Sequence, residues 1–441
     1  MNSDFTTRKR QKIFLAALLL ALTFSLGLAP AAQSEQFVIY IQAEGPLTPA
    51  MLDYVQRGVR IAQDRGAEAL IFRLDTPGGE IGLMQDIVKV LRESRTPVVV
   101  YVAYRGAAAW SAGAVIALAG HAIAMAPETG IGAASPVGMG EELPDTATRK
   151  IKQSMRALVR DLAAPRGEKV VAWAEAAVQD AVAATASEAL EMGLADLIAG
   201  DLDDLLLQLD GLQVQVRGEP VILHTANARV ERVSMSLIER ILHIVVNPSI
   251  VFVLFSIGMQ AILIEISNPG GWIAGFIGIV CIALGVYGAG VLPTNGLGLV
   301  LIALAVGLFI MDVNAPTHGA LTIAGLITMI AGALTLFNSA DTPQYARISP
   351  AFVVIVALCF AATFFFIATK SIQSRRLRPQ TGIESLVGAT AQARTDLAPQ
   401  GTVFVRGERW RAEAQDAPIA AGEQVEIVAI EGLCLHVKRK T

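Results

Sequence analysis

The 441-residue chain is poor in cysteine, in charge and in basic excess. Its three cysteines, Cys281, Cys359 and Cys434, are too few for a disulfide framework. Asp, Glu, Lys and Arg make up 17% of the residues, against roughly 25% in soluble domains. That deficit excludes an ordinary soluble protein and argues for segments buried in a bilayer. A net charge of −4 leaves no electrostatic footprint for nucleic acid. Glycine is plentiful at 39, but it follows no triplet period, which excludes a collagen-like chain. What remains is a membrane protein with soluble parts, and the length suggests about three domains.

The first 32 residues are expected to be an address. Arg8, Lys9, Arg10 and Lys12 precede an apolar run from Ile13 to Leu28, and small residues come next at Ala29, Ala31 and Ala32. A basic region, a short apolar core and an A-x-A-like exit describe a secretory signal peptide. A retained anchor is the alternative. Either way, the chain after about residue 32 is delivered outside the cytoplasm.

From Ser249 to Phe337 only Glu265 and Asp312 are charged. Breakers at Asn268–Gly271, Pro293–Gly296 and Asn314–Pro316 divide the stretch into pieces of about 17–20 residues, each long enough to cross a hydrocarbon core of about 30 Å as a helix. A fifth apolar run, Ala351–Thr369, ends at Lys370, Arg375, Arg376 and Arg378. Short basic flanks stay cytoplasmic. About five spans therefore leave the N-terminal domain outside and the C-terminal domain inside. The Gly-rich third piece, Gly296–Met311, is the weakest span, and the sidedness depends on its crossing. Ahead of the first span, Leu237, Ile238, Ile241, Leu242 and Val245 recur at helical spacing. They read as an amphipathic helix at the membrane surface, or as an ordinary core-facing one.

The chain divides into four regions: a leader over 1–32, an α/β domain over 33–230, an amphipathic helix and membrane-spanning region over 231–372, and an all-β domain over 383–441. In the α/β domain, strands are expected at Gln36–Gln42, Ala69–Leu74, Pro97–Ala103 and His121–Ala126. Helices are expected from Thr48-Pro49, over Glu80–Glu93 and over Ser111–Gly120. This alternation implies a largely parallel sheet covered by helices, with reactive groups in loops at the carboxyl ends of the strands. The tail has short alternating runs (Gly401–Val405, Arg409–Ala414, Gln424–Ile430, Leu433–Val437), expected to close into a five-stranded barrel.

Two motifs carry chemistry. Asp75-Thr76-Pro77-Gly78-Gly79 comes directly after a buried strand. Its glycines let backbone amides approach a ligand at a helix start, as an oxyanion hole requires; taken alone, a Pro-Gly-Gly turn is ordinarily only a turn. Ala107-Ala108-Ala109-Trp110-Ser111-Ala112-Gly113 sits at the next strand-to-helix junction. Ser111 Oγ reads as a nucleophile and the Ala112 amide as an oxyanion donor, against the alternative of a serine that merely caps the helix. On consecutive strands of one parallel sheet, the two motifs should open onto the same edge.

The base is less defined. His121 lies a short helix away, roughly 15 Å at 1.5 Å per residue, and reads as a strand-start residue. His224 has no supporting pattern. Lys150 and Lys152 open a helix-like run after a Gly/Pro-rich stretch, Gly138–Pro144, long enough to fold back over the site. A lysine could serve only if burial lowered its pKa from about 10.4; otherwise Lys150 is a solvated charge.

The order and spacing of these motifs resemble the long, membrane-bound NfeD proteins over nearly the whole chain. The carrying residues are Leu74–Gly79, Ser111–Gly113, Ala126-Pro127, Ile131–Ala133, Lys150-Ile151 with Leu162-Ala163, Glu188–Leu190 with Gly193 and Asp196, and in the tail Gly388–Ala391, Pro399–Gly401, Gly407–Ala412 and Gly422-Glu423. The resemblance implies a multi-domain chain: an α/β Clp/crotonase-like serine protease domain, an α-helical membrane domain, and a small all-β OB-fold barrel. It implies a Ser/Lys dyad of Ser111 and Lys150, 150 − 111 = 39 residues apart, with the amides of Gly79 and Ala112 as the oxyanion hole. It also implies apolar peptide substrates, notably of stomatin-like (SPFH) membrane proteins, and no cofactor. The chain is expected in the cell inner membrane as a homo-oligomer, a dimer or larger. Trp110, where a small residue is usual, and Gln153, where asparagine is common, depart from the pattern, and the Ser–Lys segment is slightly short. A non-catalytic scaffold for an SPFH partner is the competing reading. A crotonase-like acyl-CoA enzyme is disfavoured by the leader, since CoA is cytoplasmic.

Overall fold

The computed structural model describes residues 36–136, 145–267, 271–292, 294–314, 317, 319–338, 342, 346–376, 383–416 and 418–440. The expected leader and the Gly138–Pro144 stretch lie outside the described residues, as do Pro269, Pro293 and Pro316 among the breakers.

Apolar alternation builds the first domain. Its elements are β1 (Phe37–Glu44), α1 (Pro49–Arg65), β2 (Ala69–Asp75), α2 (Ile81–Arg92), β3 (Val98–Val102), β4 (Ala108–Trp110), α3 (Ala112–Ala119), β5 (Ala122–Met125), β6 (Gly130–Gly132), α4 (Asp145–Ala163), α5 (Glu168–Gln179), β7 (Ala183–Thr185), α6 (Ala186–Met192), β8 (Leu197–Ile198), α7 (Leu202–Leu209), β9 (Gln213–Val216), β10 (Glu219–Ile222) and β11 (Arg229–Arg232). A six-stranded sheet runs β11-β1-β2-β3-β5-β8, every pairing parallel. Successive side chains take opposite faces. Leu70, Phe72 and Leu74 of β2 join a core with Val98, Val100 and Val102 and with helices α1 to α5. Ala69 and Ile71 join a second core with Val99, Tyr101 and residues of α7 and β9. The sheet is thus buried on both faces, which is why its strands read as continuous apolar runs. Thr48 caps α1, accepting from the Met51 amide at 3.1 Å, with Pro49 in the first turn as its sequence suggests.

A small second sheet, β4-β6-β7, was not evident from the residues. Its strands are three residues long. It is joined to the end of β2 by a parallel bridge between Thr76 and Ala109.

After β11 come α8 (Leu237–Val245) and five apolar helices, α9 (Pro248–Ser267), α10 (Ile273–Val291), α11 (Gly296–Asn314), α12 (Ala320–Phe337) and α13 (Pro350–Arg376). Three stretches, Pro248–Ile266, Ile273–Val291 and Ala320–Phe337, are long and apolar enough to cross a membrane. The other two helices carry shorter apolar stretches, Gly296–Asp312 and Pro350–Phe366, so among the described residues three of the five expected spans are long and apolar enough to cross. Helices α9 and α10 cross where a Cβ on Gly258 would lie 3.0 Å from Gly278 O and one on Gly278 2.9 Å from Gly258 O, the small-residue packing typical of bilayers. Two acidic residues of this block close turns. Glu265 accepts from the Trp272 and Gly275 amides at 3.1 and 3.2 Å, and Asp312 accepts from the Thr317 and Thr322 hydroxyls.

The second compact unit holds the C-terminal domain. There β12 (Thr390–Ala393), β13 (Gln400–Val405), β14 (Glu408–Ala414), β15 (Gln424–Glu431) and β16 (Cys434–Arg439) form a closed five-stranded barrel around Val403, Ala412, Val425, Ile427, Leu435 and Val437.

Candidate active site

The sheet edge at the carboxyl ends of β1 and β2 brings the two motifs together. The turn after β2 is tied by its own residues: the Gly78 amide donates to Thr76 Oγ1 at 3.0 Å. Thr76 is itself pinned to β4, donating from its amide to Ala108 O at 2.7 Å and accepting from the Trp110 amide at 3.0 Å. Asp75 Oδ1 accepts from the Ala108 amide at 3.0 Å. These bonds hold the Gly-Gly turn beside the Ser111 junction.

Gly78 has φ +111°, and a Cβ there would lie 2.6 Å from Ser111 Cβ and 3.0 Å from Ser111 Oγ. Only glycine allows both that backbone and that approach. Across the site, a Cβ on Gly113 would lie 2.5 Å from Thr76 Cγ2, so the helix behind the serine presses on the turn. Every residue of α3 is buried, which accounts for its small side chains.

Ser111 itself adopts φ 53° and ψ −120° at the start of α3. A positive φ in a residue with a Cβ costs about 1–3 kcal/mol and clusters at functional sites. A serine on a strained strand-to-helix turn projects its hydroxyl away from the backbone that carries it. Its amide donates to Gly132 O at 2.8 Å, so β6 anchors the strained residue. Ser111 occupies the cap position of α3, yet its side chain makes no cap hydrogen bond. The capping alternative therefore does not account for the hydroxyl. Among the described residues, neither the Gly79 nor the Ala112 amide donates a hydrogen bond.

The histidines are accounted for elsewhere. His121 Nδ1 accepts from the Val98 amide at 2.9 Å, at the amino end of β3 and so at the opposite edge of the sheet from Ser111. Burial, with the Arg92 charge, lowers its pKa to about 4. His224 is exposed, and its amide donates to Glu68.

Lys150 is exposed in the first turns of α4. Lys152 is half-buried, and its Nζ donates to Gln179 O at 3.5 Å at the end of α5. No hydrogen bond joins either ammonium to Ser111 among the described residues. The Trp110 ring lies over Gly130 of β6, where a Cβ would come within 2.4 Å of it. Thr76, Gly132 and Leu47 position the site and were not singled out for that role from the sequence. Leu47 donates its amide to Gly78 O at 3.0 Å and fills the space beside Gly79. The signal for it was the Thr48-Pro49 helix start next door.

Three sequence families match along the chain. Residues 37–217 match the N-terminal domain of NfeD1b, 249–370 the NfeD integral membrane domain, and 383–439 the NfeD-like C-terminal, partner-binding domain. The chain is similar to the membrane-bound protease PH1510 of Pyrococcus horikoshii, 32% identical over 435 residues, covering 96% of this chain and 98% of that one. It is similar also to the membrane protein NfeD1b of Bacillus subtilis, 26% identical over 468 residues, covering 97% and 99%. Among solved structures, 1510-N, a membrane protease specific for a stomatin homolog from Pyrococcus horikoshii, is 31% identical, covers 48% of this chain and 98% of that one, and superposes with a TM-score of 0.42.

Proposed function

The chain belongs to the NfeD family of membrane proteins, and on that footing we propose that it is a membrane-bound serine endopeptidase acting on apolar peptide segments of a stomatin-type (SPFH) partner. Ser111 is the nucleophile, Lys150 the general base, and the Gly79 and Ala112 amides the oxyanion hole. The observation that carries this reading is Ser111 held at φ 53° beside Gly78, with a hydroxyl that caps nothing. A relative of nearly equal length that is named a membrane-bound protease supports it.

The chemistry is acyl transfer. Neutral Lys150 takes the Ser111 proton as Oγ bonds to the peptide carbonyl carbon. The carbonyl oxygen becomes an oxyanion, held by the two amides. Collapse expels the amine, which leaves with the proton from Lys150. Water then attacks the acyl carbon, gives its proton to Lys150, and Ser111 departs with that proton restored. Lys150 is exposed in the unliganded chain, and an apolar segment lying over it would strip water from its amine.

In this reading the protease domain lies outside the cytoplasm and the barrel inside, and the chain works as a homo-oligomer. The test is cleavage of an apolar peptide by the full chain. Ser111→Ala and Lys150→Ala should each lose about 10³-fold or more. Activity surviving Ser111→Ala removes the nucleophile assignment. Loss in Lys152→Ala with Lys150→Ala intact moves the base. A second reading, a non-catalytic scaffold that docks an SPFH protein through its barrel, is favoured by one observation, the exposure of Lys150. It predicts that no variant differs from wild type.

A further inference from the structure

A strap lies beside the site. The residues between β1 and α1 run beside the Gly78-Gly79 turn: the Gly45 amide donates to Asp75 O at 2.9 Å and the Leu47 amide to Gly78 O at 3.0 Å. A Cβ on Gly79 would meet Leu47 Cβ at 2.6 Å. Leu47 and Thr48 are fully buried. The turn that carries an oxyanion donor thus rests on this strap.

A residue from 195 positions beyond Thr48 adds a further hold on the strap. His243, near the end of α8, reaches it with both ring nitrogens. Nδ1 lies 3.0 Å from Thr48 Oγ1, and Nε2 lies 3.0 Å from Glu44 O. A carbonyl only accepts, so Nε2 carries the proton. In the neutral ring that burial favours, Nδ1 accepts from the Thr48 hydroxyl. Glu44 is held from its other side by an ion pair with Arg73, which is buried in β2. The imidazole thus bridges both ends of the strap, with Arg73 as a second hold on Glu44 and the Met51 amide a second on Thr48.

Helix α8 is placed to transmit this grip. Its polar edge docks on α1: Glu239 accepts from Arg57 Nε and Nη2 at 3.0 and 2.6 Å. Its apolar edge, with Leu237 and Ile238 74% and 71% exposed and Ile241 and Ile244 beside them, faces away from the domain. The end of α8 packs on α10, where a Cβ on Gly288 would lie 2.4 Å from Val245 O, and α9 begins at Pro248.

We propose that His243 is a positioning residue: from the juxtamembrane helix it fixes the Glu44–Thr48 strap against the Gly78-Gly79 turn, so that an oxyanion donor is set from the membrane side. The proposal rests on the serine-peptidase reading. An oxyanion donor acts in the transition state, so misplacing it lowers kcat more than it raises KM.

The experiment uses the full chain in phospholipid vesicles, with an apolar peptide substrate, a fluorophosphonate probe of Ser111 and hydrogen exchange. In His243→Ala, kcat and the rate of Ser111 phosphonylation should fall about 10-fold with KM within about twofold. The Gly45 and Leu47 amides should exchange faster while β2 and β3 keep their protection. His243→Gln, which can still donate to Glu44 O, should recover most of the rate. Arg65→Ala, which removes an exposed ion pair with Glu231 at the far end of α1, should stay within about twofold of wild type. Wild-type kcat in His243→Ala overturns the proposal. So does a loss shared equally by Ala and Gln with unchanged exchange at the strap. If His243→Ala unfolds the domain, protection falls in β2 and β3 as well, and His243→Gln then decides between the same two outcomes. Failure of the probe to label wild-type Ser111 removes the peptidase reading instead, and strap exchange still tests the linkage by itself.

Discussion

Gly78→Ala isolates the contact on which the site depends. The added methyl would start 2.6 Å from Ser111 Cβ, whereas ordinary contact begins near 3.4 Å, so the two must part by 3.4 − 2.6 = 0.8 Å. The backbone also sits at φ +111°, where an alanine is strained. Strain of about 1–3 kcal/mol and overpacking of about 1–3 kcal/mol together cost roughly 2–6 kcal/mol, within the stability of many domains. Catalysis should suffer more sharply. A displacement near 1 Å can cost about 10²-fold, and here it acts on nucleophile and oxyanion turn at once. The assay is the rate of fluorophosphonate labelling of Ser111, read beside thermal unfolding of the same sample. Gly66→Ala is the control. Gly66 also has positive φ, +66° at the end of α1, but a Cβ there meets nothing within 4 Å. It should lose about 1–2 kcal/mol and keep its labelling rate. If Gly78→Ala labels at the wild-type rate, Ser111 does not work against this turn, and the site as described is wrong.

His121→Asn keeps an acceptor for the Val98 amide and should leave peptide cleavage unchanged; lost activity would make His121 the base. The same variant tests linkage. The folded pKa is about 4 and the unfolded value about 6.5, so the unfolded chain binds the extra proton between them. The stability tied to neutral His121, at most about 3 kcal/mol, is present above pH 6.5 and lost as pH falls toward 4. His121→Asn should flatten that stretch of the stability curve, and an unchanged slope would refute the assignment. Gly130→Ala should drive the Trp110 ring from its seat, costing about 1–3 kcal/mol, and Trp110→Ala should relieve the loss in the double variant; simple additivity of the two changes would show that the ring does not rest there. For sidedness, in a chain with Cys281, Cys359 and Cys434 replaced by serine, a membrane-impermeant thiol reagent should label Glu219→Cys in intact cells and Glu408→Cys only after permeabilisation. The reverse pattern would invert the topology.

Much of this was legible because it depends on near neighbours along the chain. The short apolar runs in Phe37–Glu44 and Ala69–Asp75 marked strands by their own composition, and Thr48-Pro49 opens a helix by its own chemistry. The glycines after β2 and the serine before α3 were expected to open onto one edge from consecutive strands of one sheet; they do lie side by side, but Ser111 follows β4 of the second sheet, not a strand of the main one. The second sheet left little trace: strands of three residues such as Gly130–Gly132 and Ala183–Thr185 have no periodicity to detect, and they exist only because the rest of the fold brings them together. The exposure of Lys150 could not be read either, because a lysine at a helix start has the same spacing whether it faces solvent or a serine.

The linear order of residues settled the division into a parallel α/β domain, apolar helices and a barrel, because hydrophobic periodicity, run length and the spacing of turn residues are local properties of the chain. The unusual backbone of Ser111, its hydroxyl released from capping, the close approach of Gly78 and the reach of His243 to Thr48 were decided only in three dimensions. Each of these is a contact between segments distant in sequence. A φ of 53° is held in place by bonds such as Ser111 to Gly132 that no local preference would select.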